Sequence, residues 1–243
     1  MLAARYNSQV SRGAATDERY GRVRAIAIDG PVAAGKTTVG RLLARRLGYR
    51  FVDTGAMYRA ITWLALQRDV DITDAKALVA LAEEATIEVN QVTPDGEPAL
   101  RVNGCDVTGQ LRTPEVEGAV SLVSRTSGVR IALVAQQRKL AQEGRVVMAG
   151  RDIGTVVLPQ ADIKVFLRAS PGERARRRLE ELRDTGQDVS YEDVLSDLAR
   201  RDKLDTERAD SPLRPAEDAR IVDTDSLSLE EVVSLIEKMV RGR

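Results

Sequence analysis

Apolar residues in this chain occur in short continuous runs that alternate with segments of helical period. Five of the runs are bounded by polar or glycine positions and are rich in β-branched residues, which is typical of buried strands. They lie at 23–29, 49–52, 145–149, 163–167 and 221–224. Between them, apolar positions recur at the spacing of helices packed by one face. The pattern predicts an α/β fold: a five-stranded parallel sheet flanked by helices on both faces.

The helices are delimited by capping signals. In the first, apolar residues at 39, 42, 43 and 47 share one face, and Gly48 ends the helix. Further helices are predicted from Asp53 or Thr54, at 73–82, from Thr113-Pro114, at 127–142, from a capping box at 170–173, at 191–203 and from a capping sequence at 228–231.

A different pattern occupies the segment at about 83–113, where short alternating runs replace the strand–helix alternation. Pro94-Asp95-Gly96 indicates a turn, and Asn103-Gly104 is typical of a tight hairpin. We therefore expect a small antiparallel β insertion that handles a substrate. The core would then comprise 23–82 and 114–243, with a mobile tail at 1–22.

The segment 30–37 fits G-x-x-x-x-G-K-[ST] at every fixed position, between a predicted strand and a predicted helix. In such a loop the backbone N–H groups and the helix N-terminus bind phosphate oxygens. Lys36 supplies a charge for the outer phosphates, and Thr37 supplies a hydroxyl for Mg²⁺. The predicted ATP-binding residues are Gly30, Pro31, Val32, Ala33, Ala34, Gly35, Lys36, Thr37 and Thr38.

The composition narrows the chemistry. Basic and acidic residues number 37 each, so there is no general basic field for a nucleic acid. Histidine is absent and Cys105 is the single cysteine, which excludes a Ser-His-Asp triad, a histidine metal site and an internal disulfide. The chain has no apolar run of about 18 residues for a membrane span, and 1–22 lacks the apolar centre of a signal peptide. We expect a cytoplasmic protein without a nucleic-acid or membrane partner.

Two polar segments follow predicted strands, at the sheet edge where ligands bind in α/β folds. Thr54, Tyr58 and Arg59 could share the mouth of a cleft, although a capped helix with a surface arginine gives the same sequence. Arg151 and Asp152 stand between two glycines directly after a strand. A ligand-binding pair and a structural salt bridge are both consistent with that arrangement.

The helical pair predicted at 171–203 is dense in arginine. An enzyme that moves a phosphoryl group must neutralise charge on three oxygens and exclude water, and a mobile arginine-bearing lid does both. Arg174 and Arg177 are the candidate phosphate contacts. The alternative is a solvated face on which acidic residues such as Glu173 and Glu180 pair with the arginines.

In combination these motifs resemble the bacterial cytidylate kinase family of nucleoside monophosphate kinases. The glycine loop is common to many families, but its combination with DTGAMYR and GRDIGTVV is far more specific. The resemblance spans about 24–240. The matching stretches are IDGPVAAGKTT (28–38), VDTGAMYRA (52–60), SLVSRTSGVR (121–130), AGRDIGTVVLPQADIKVFL (149–167) and RRDKLDTERADSPLRPAEDA (200–219).

The resemblance implies a P-loop core, a CMP-binding insertion and a helical lid. It implies Mg²⁺-dependent transfer of the γ-phosphoryl group of ATP to CMP or dCMP by a monomer, with Lys36, Arg151 and Asp152 as catalytic residues. The implied substrate-binding residues are Ser121, Arg130 and Asp152 for the cytosine edge, Arg59, Arg151 and Arg208 for the acceptor phosphate, Arg201 and Asp205 for the phosphate and sugar, and Thr54 and Tyr58 for the acceptor site wall.

The sequence departs from the family at two places. Family members often have Ser-Gly where this chain has Val32-Ala33, and Ser where it has Thr54. The first pair contributes mainly backbone N–H groups and the second keeps its hydroxyl, so we expect phosphate binding to survive.

Three rival functions are consistent with parts of the sequence. The nearest is another small-acceptor kinase, such as a thymidylate or shikimate kinase. A GTPase switch is a second, because 106–109 matches D-x-x-G, although the segment 103–106 lacks the lysine of the guanine-binding motif. A structural ATP-binding protein is the third, and the acceptor-side arginines argue against it.

Overall fold

A computed structural model of the chain describes residues 23–90, 99–184 and 186–242. The predicted tail at 1–22, the predicted turn at 94–96 and Thr185 lie outside the described residues. The strands are β1 (Ala25–Asp29), β2 (Arg50–Asp53), β3 (Ile87–Asn90), β4 (Ala99–Val102), β5 (Cys105–Asp106), β6 (Val146–Gly150), β7 (Ile163–Arg168) and β8 (Arg220–Asp223). The helices are α1 (Lys36–Leu47), α2 (Thr54–Gln67), α3 (Ala75–Glu84), α4 (Pro114–Val123), α5 (Ser127–Gln142), α6 (Pro171–Asp184), α7 (Tyr191–Glu207) and α8 (Leu229–Arg241).

Five strands form one parallel sheet in the order β2-β6-β1-β7-β8. The central strand β1 pairs with β6 and β7, so that Asp29 lies opposite Gly150 and Phe166. Because the strands are parallel, the segments that follow β1, β2 and β6 meet at one edge of the sheet. The predicted α/β fold and its five strands are confirmed, with boundaries that differ by at most two residues.

The core has two layers because successive side chains of a strand point to opposite faces. Ile26 and Ile28 of β1 pack in the layer that contains α1 and α8. Ala27 packs in the other layer, with Met57 of α2 and Leu133 of α5. The predicted helical cover on both faces is therefore present.

The insertion forms an antiparallel sheet in the order β3-β4-β5. Asn103 and Gly104 both have positive φ, 51° and 80°, which is the geometry of the predicted tight hairpin. Leu100 and Val102 of β4 are buried in the same core layer as α2 and α3. The insertion is thus continuous with the main core rather than a separately packed unit.

Helices α6 and α7 pack on each other through a small cluster of their own. At the start of α6, Ser170 Oγ accepts the N–H of Glu173 at 3.3 Å, which is half of the predicted capping box. The N–H of Ser170 donates to Asp225 instead. The capping box predicted for α8 is complete, with Ser228 and Glu231 bonded reciprocally.

Helix α7 continues to Glu207, beyond the lid boundary predicted at 203. The polar composition of 204–215 predicted a loop there, but the chain stays helical as far as Glu207. The extension matters for the site, because it places Asp205 one helical turn after Arg201, on the same face of α7.

Across the ranges 23–90, 99–184 and 186–242, no helix combines the length and apolar character needed to cross a membrane.

Candidate active site

The glycine loop joins β1 to α1. Two of its positions must be glycine, because of their backbone geometry or because a neighbouring strand lies very close. Gly30 has a φ of 149°, and a Cβ at this position would lie 2.3 Å from the carbonyl oxygen of Leu167 in β7. Gly35 has a φ of 86° and is the N-cap residue of α1. Because glycine offers no side-chain cap, the first N–H groups of α1 are left for an anion.

Ala33 also adopts a left-handed conformation, with a φ of 59°. This region costs a residue with a Cβ roughly 1 kcal/mol. Ala33 is part of the Val32-Ala33 pair that departs from the common Ser-Gly. The loop therefore keeps a left-handed turn with alanine at a position where glycine is common, at a small cost in strain.

Lys36 folds back over the loop, and its Nζ donates to the carbonyl oxygen of Pro31 at 2.5 Å. Burial, followed by repulsion from Arg151, lowers the pKa of Lys36 well below its usual value. An anion bound between the loop and Arg151 would offset both effects, because it would stabilise the charged ammonium. The arrangement is suited to a bound phosphate.

Thr37 and Asp53 could hold a magnesium ion. Thr37 Oγ1 donates to Asp53 Oδ2 at 2.9 Å, and both residues line the cleft. Hydroxyl and carboxylate oxygens are ligands that Mg²⁺ prefers, and the ion commonly takes the rest of its shell from water and substrate phosphates. The described part of the chain has no cluster of three or more acidic or cysteine side chains that could hold a metal without such help.

Asp29, at the end of β1, is buried and accepts the N–H groups of Ile153 and Gly154, each at 2.7 Å. Burial, together with a smaller effect of repulsion from Asp152, raises the pKa of Asp29 to about 6 against these two hydrogen bonds. The bonded peptides begin a single π-helical turn, in which Leu158 N–H donates to the carbonyl oxygen of Ile153 at 2.7 Å. Turns of this kind are rare in proteins, and those that occur often lie at functional sites.

Asp152 lies immediately before this turn, in a buried charged group. It forms an ion pair with Arg130, and its Oδ1 lies 3.7 Å from Nη2 of Arg208. The guanidinium of Arg130 also lies 5.4 Å from the ring centroid of Tyr58, and burial raises the pKa of Tyr58 to about 12. Arg130 Nε and Arg208 Nη2 are buried without a hydrogen-bond partner among the described residues. Buried polar atoms are normally paired, so these nitrogens are open to a ligand or to ordered water.

Arg151 points to the other side of the same segment, where its Nε lies 2.7 Å from Asp205 Oδ2. Burial alone would raise the pKa of Asp205, but the positive charges of Arg151, Arg208 and Lys36 together lower it. Thr54 Oγ1 donates to the carbonyl oxygen of Ala149 at 2.9 Å, so its hydroxyl ties α2 to β6. A Cβ at Gly150 would lie 2.6 Å from that hydroxyl, which explains the glycine.

Glu117 of α4 forms ion pairs with three arginines from three different helices. Its Oε1 lies 2.7 Å from Nε of Arg59 in α2. Its Oε2 lies 3.4 Å from Nη2 of Arg178 in α6 and 3.1 Å from Nη1 of Arg201 in α7. Burial would raise the pKa of Glu117, but the guanidiniums lower it to about 2. We refer to Glu117, Arg59, Arg178 and Arg201 as the arginine cluster.

Most of these groups line one cleft of about 270 Å³, and Asp29 is not among its lining residues. The predicted site residues that line it are Val32, Ala33, Gly35, Lys36, Thr37, Thr38, Thr54, Tyr58, Arg59, Ser121, Arg130, Arg151, Asp152, Arg201, Asp205 and Arg208. Gly30, Pro31 and Ala34 belong to the loop backbone behind the lining residues. The structure thus brings the segments after β1, β2 and β6 together with α4, α5 and α7.

The two predicted lid arginines are not among the lining residues. Arg174 is buried, forms a two-pronged ion pair with Asp202 at 3.0 and 2.7 Å, and donates to the carbonyl oxygen of Val32 at 3.3 Å. Arg177 donates to the side chain and carbonyl oxygen of Thr224 at 3.0 and 2.7 Å. Arg178, next along α6, is the α6 arginine that lines the cleft.

Some cleft residues were not predicted as ligands. The sequence around Asp53 could have identified it as a ligand, because it ends a strand directly before the 54–59 segment, but Asp53 was interpreted only as a helix cap. Glu117 had none, because an acidic residue in the first turn of a helix is ordinary. The unpredicted lining residues include Arg41, Asp53, Arg112, Glu117, Val120, Ser124, Arg178 and Glu181.

A parallel sheet whose central strand leads into a phosphate-binding loop, facing a cleft rich in arginine, defines a P-loop kinase. The model of the cytidylate kinase family matches residues 26–242, and the chain belongs to that family. This confirms the resemblance drawn from the motifs. A thymidylate or shikimate kinase is not favoured.

The names of curated relatives agree with this family assignment. The chain is 52% identical to the cytidylate kinase of Bacillus velezensis over 218 residues, which are 90% of this chain and 96% of that protein. It is 51% identical to the cytidylate kinase of Bacillus subtilis over the same shares of each chain. The cytidylate kinase of Pelotomaculum thermopropionicum is 53% identical over 213 residues, 87% of this chain and 93% of that one.

Among solved structures, an uncharacterised protein from Eubacterium ventriosum has a TM-score of 0.52 at 13% identity, over 90% of this chain and 99% of that chain. At that identity the likeness shows the fold alone.

Proposed function

We propose that this protein transfers the γ-phosphoryl group of ATP to CMP and dCMP, yielding ADP with CDP or dCDP. The observation that carries the proposal is the buried group formed by Asp152, Arg130 and Arg208, which faces the same cleft as the glycine loop. Family membership and the names of the curated relatives support it.

The chemistry of this group suits cytosine. The carboxylate of Asp152 accepts a hydrogen bond from the N4 amine, and the guanidinium of Arg130 donates to the N3 and O2 acceptors. Ser121, on the lining of the same cleft, adds a hydroxyl. Uracil presents an oxygen where cytosine presents the amine, and would place it against a carboxylate. We therefore propose that Asp152 selects cytosine over uracil.

The loop Gly30–Thr38 is the proposed donor half of the cleft, where backbone N–H groups and Lys36 bind the phosphates of ATP. Thr37 and Asp53 would hold Mg²⁺, which when bound neutralises charge on the β- and γ-phosphates. On the acceptor side, Arg59, Arg151 and Arg208 would hold the CMP phosphate, and Arg201 and Asp205 would contact the phosphate and sugar.

In the reaction an oxygen of the CMP phosphate attacks the γ-phosphorus in line, a new P–O bond forms, and the bond from the γ-phosphorus to the β–γ bridging oxygen breaks. The attacking oxygen is already an anion at neutral pH, so no strong general base is required. The protein contributes position and charge: Arg59 and Arg151 fix the acceptor, and Lys36 meets the charge of the transferring group.

Helices α6 and α7 are the proposed lid, which excludes water while the phosphoryl group moves. For Arg174 and Arg177 to contact ATP, they would have to exchange their present partners, Asp202 and Thr224. Arg178 already lines the cleft, where it pairs with Glu117 and Glu181. We propose a cytoplasmic monomer that serves pyrimidine nucleotide metabolism and acts on small molecules, with the insertion at about 83–113 on its acceptor side.

A coupled assay of ADP release tests the substrate assignment. With ATP and Mg²⁺, CMP and dCMP should be good acceptors, and UMP, dTMP and shikimate poor ones. An Asp152→Asn variant should lose part of the discrimination between CMP and UMP, because the amide offers both a donor and an acceptor. Efficient turnover of UMP or dTMP by the wild type would overturn the assignment. Activity that persists in EDTA would overturn the role of Mg²⁺.

A further inference from the structure

The arginine cluster carries a charge that phosphoryl transfer does not require. Arg59 and Arg201 are the guanidiniums proposed to bind nucleotide phosphate, yet in this structure both are held by the carboxylate of Glu117. Nη2 of Arg201 additionally donates to the carbonyl oxygen of Glu117 at 3.1 Å. Both terminal nitrogens of Arg201 are thus engaged by this one residue.

A carboxylate that binds several guanidiniums presents the same chemistry as a phosphate group: negative oxygens at hydrogen-bond distance. Glu117 is nearly buried and anionic, with its pKa lowered to about 2. Arg178 and Arg201 have second acidic partners, Glu181 at 3.0 Å and Asp197 at 2.8 Å. The three guanidiniums and the three carboxylates of these ion pairs therefore balance in charge, and removing the charge of Glu117 leaves one positive charge in excess.

We infer that Glu117 is a specificity-determining residue that pairs with the phosphate-binding arginines and competes with incoming phosphate. The inference rests on the proposed function only in naming the nucleotide that displaces Glu117. A small inorganic anion has only its phosphate contacts to bind through, and it displaces the carboxylate poorly. A nucleotide is also held through its base and sugar, and the energy of those contacts allows its phosphate to take the place of Glu117. Glu117 thereby protects the acceptor site from free phosphate.

Titration with inorganic phosphate tests this directly, at constant ionic strength and with Mg-ADP saturating the donor loop. Glu117→Gln keeps the shape and one hydrogen-bond acceptor but removes the charge. We expect it to bind phosphate at least about fivefold more tightly than the wild type. Glu115→Gln is the matched control, because Glu115 is an exposed acidic residue in the same turn of α4, and it should match the wild type.

A second readout uses catalysis. In Glu117→Gln the KM for CMP should fall while the KM for ATP stays unchanged, and phosphate should become a stronger inhibitor competitive with CMP. A residue that only holds the helices together would give the opposite sign, with a lower melting temperature and weaker binding of both anions. Phosphate binding that is unchanged or weaker in Glu117→Gln overturns the inference.

The phosphate titration does not involve CMP. If the chain failed to phosphorylate CMP, the proposed function would fail while the role of Glu117 would still be decided. If Glu117→Gln does not fold, Glu117→Asp takes its place, because it keeps the charge but withdraws it by one methylene from the three guanidiniums. It should also bind phosphate more tightly than the wild type, by a smaller factor, and equal or weaker binding overturns the inference.

Discussion

The titration of Asp29 should be visible in the stability of the whole protein. Its carboxyl is buried at the end of β1, and its pKa is raised to about 6 from a usual 3.8. The folded state therefore holds this proton more tightly than the unfolded chain does. It follows that stability falls as pH rises through this window, and that the contribution is fully present only below pH 3.8.

The magnitude follows from the same two values. The displacement from 3.8 to about 6 corresponds to about 3 kcal/mol when the group is fully protonated. Of this, about 1.4 kcal/mol should develop between pH 7 and pH 5, where few other carboxyls titrate.

The perturbation is Asp29→Asn, which removes the titration and keeps the size of the side chain. Its amide oxygen can accept only one of the N–H groups of Ile153 and Gly154, and its NH₂ would face the other. Urea denaturation at a series of pH values should show a wild type that becomes more stable towards pH 5 relative to the variant. All other titrating groups are shared, so the difference isolates Asp29. Parallel curves for the two proteins would refute the reasoning.

Three further predictions follow from the site. Gly30→Ala should destabilise the protein by about 2 kcal/mol or more in thermal melts, because its Cβ would lie 2.3 Å from the carbonyl oxygen of Leu167. The control is Gly118→Ala, at a helical position with open space, which should be neutral or stabilising in the same melts. Lys36→Met should lower kcat by about 100-fold or more without lowering the melting temperature, because it removes a buried ammonium; near-normal turnover would contradict the assignment. Asp152→Ala should weaken CMP binding far more than ATP binding in calorimetric titrations, and equal losses would count against a role in base recognition.

Much of the fold followed from the sequence because parallel strands buried on both faces are continuous apolar runs. The run at 145–149 is of this kind, because the four residues after Arg145 are apolar and buried and Gly150 follows them. The glycine loop was equally accessible, because its glycines are fixed by backbone geometry and close approach. The end of α7 was not, because the residues after 203 are polar whether they form a loop or the exposed side of a helix.

The site was predictable where chemistry sits next to a strand end, as with Arg151 and Asp152. It was not predictable where distant elements meet in space. Glu117 lies in an ordinary helical first turn, and only the packing of α4 near α2, α6 and α7 brings the arginines to it. The predicted phosphate contacts Arg174 and Arg177 stay a prediction, and in this structure their guanidiniums are engaged by Asp202 and Thr224.

The insertion sheet bears on how this enzyme could be re-engineered. Leu100 and Val102 share a core with Met57 and Ile61 of α2, and α2 begins at the cleft. An insertion taken from another kinase would therefore pack against side chains of α2 that fit a different surface. Grafting the insertion alone would leave cavities or clashes beneath it, and each large core residue lost would cost about 2–5 kcal/mol of stability. A specificity transplant must carry the buried faces of α2 and α3 with it, so the transferable unit in this chain is larger than the insertion itself.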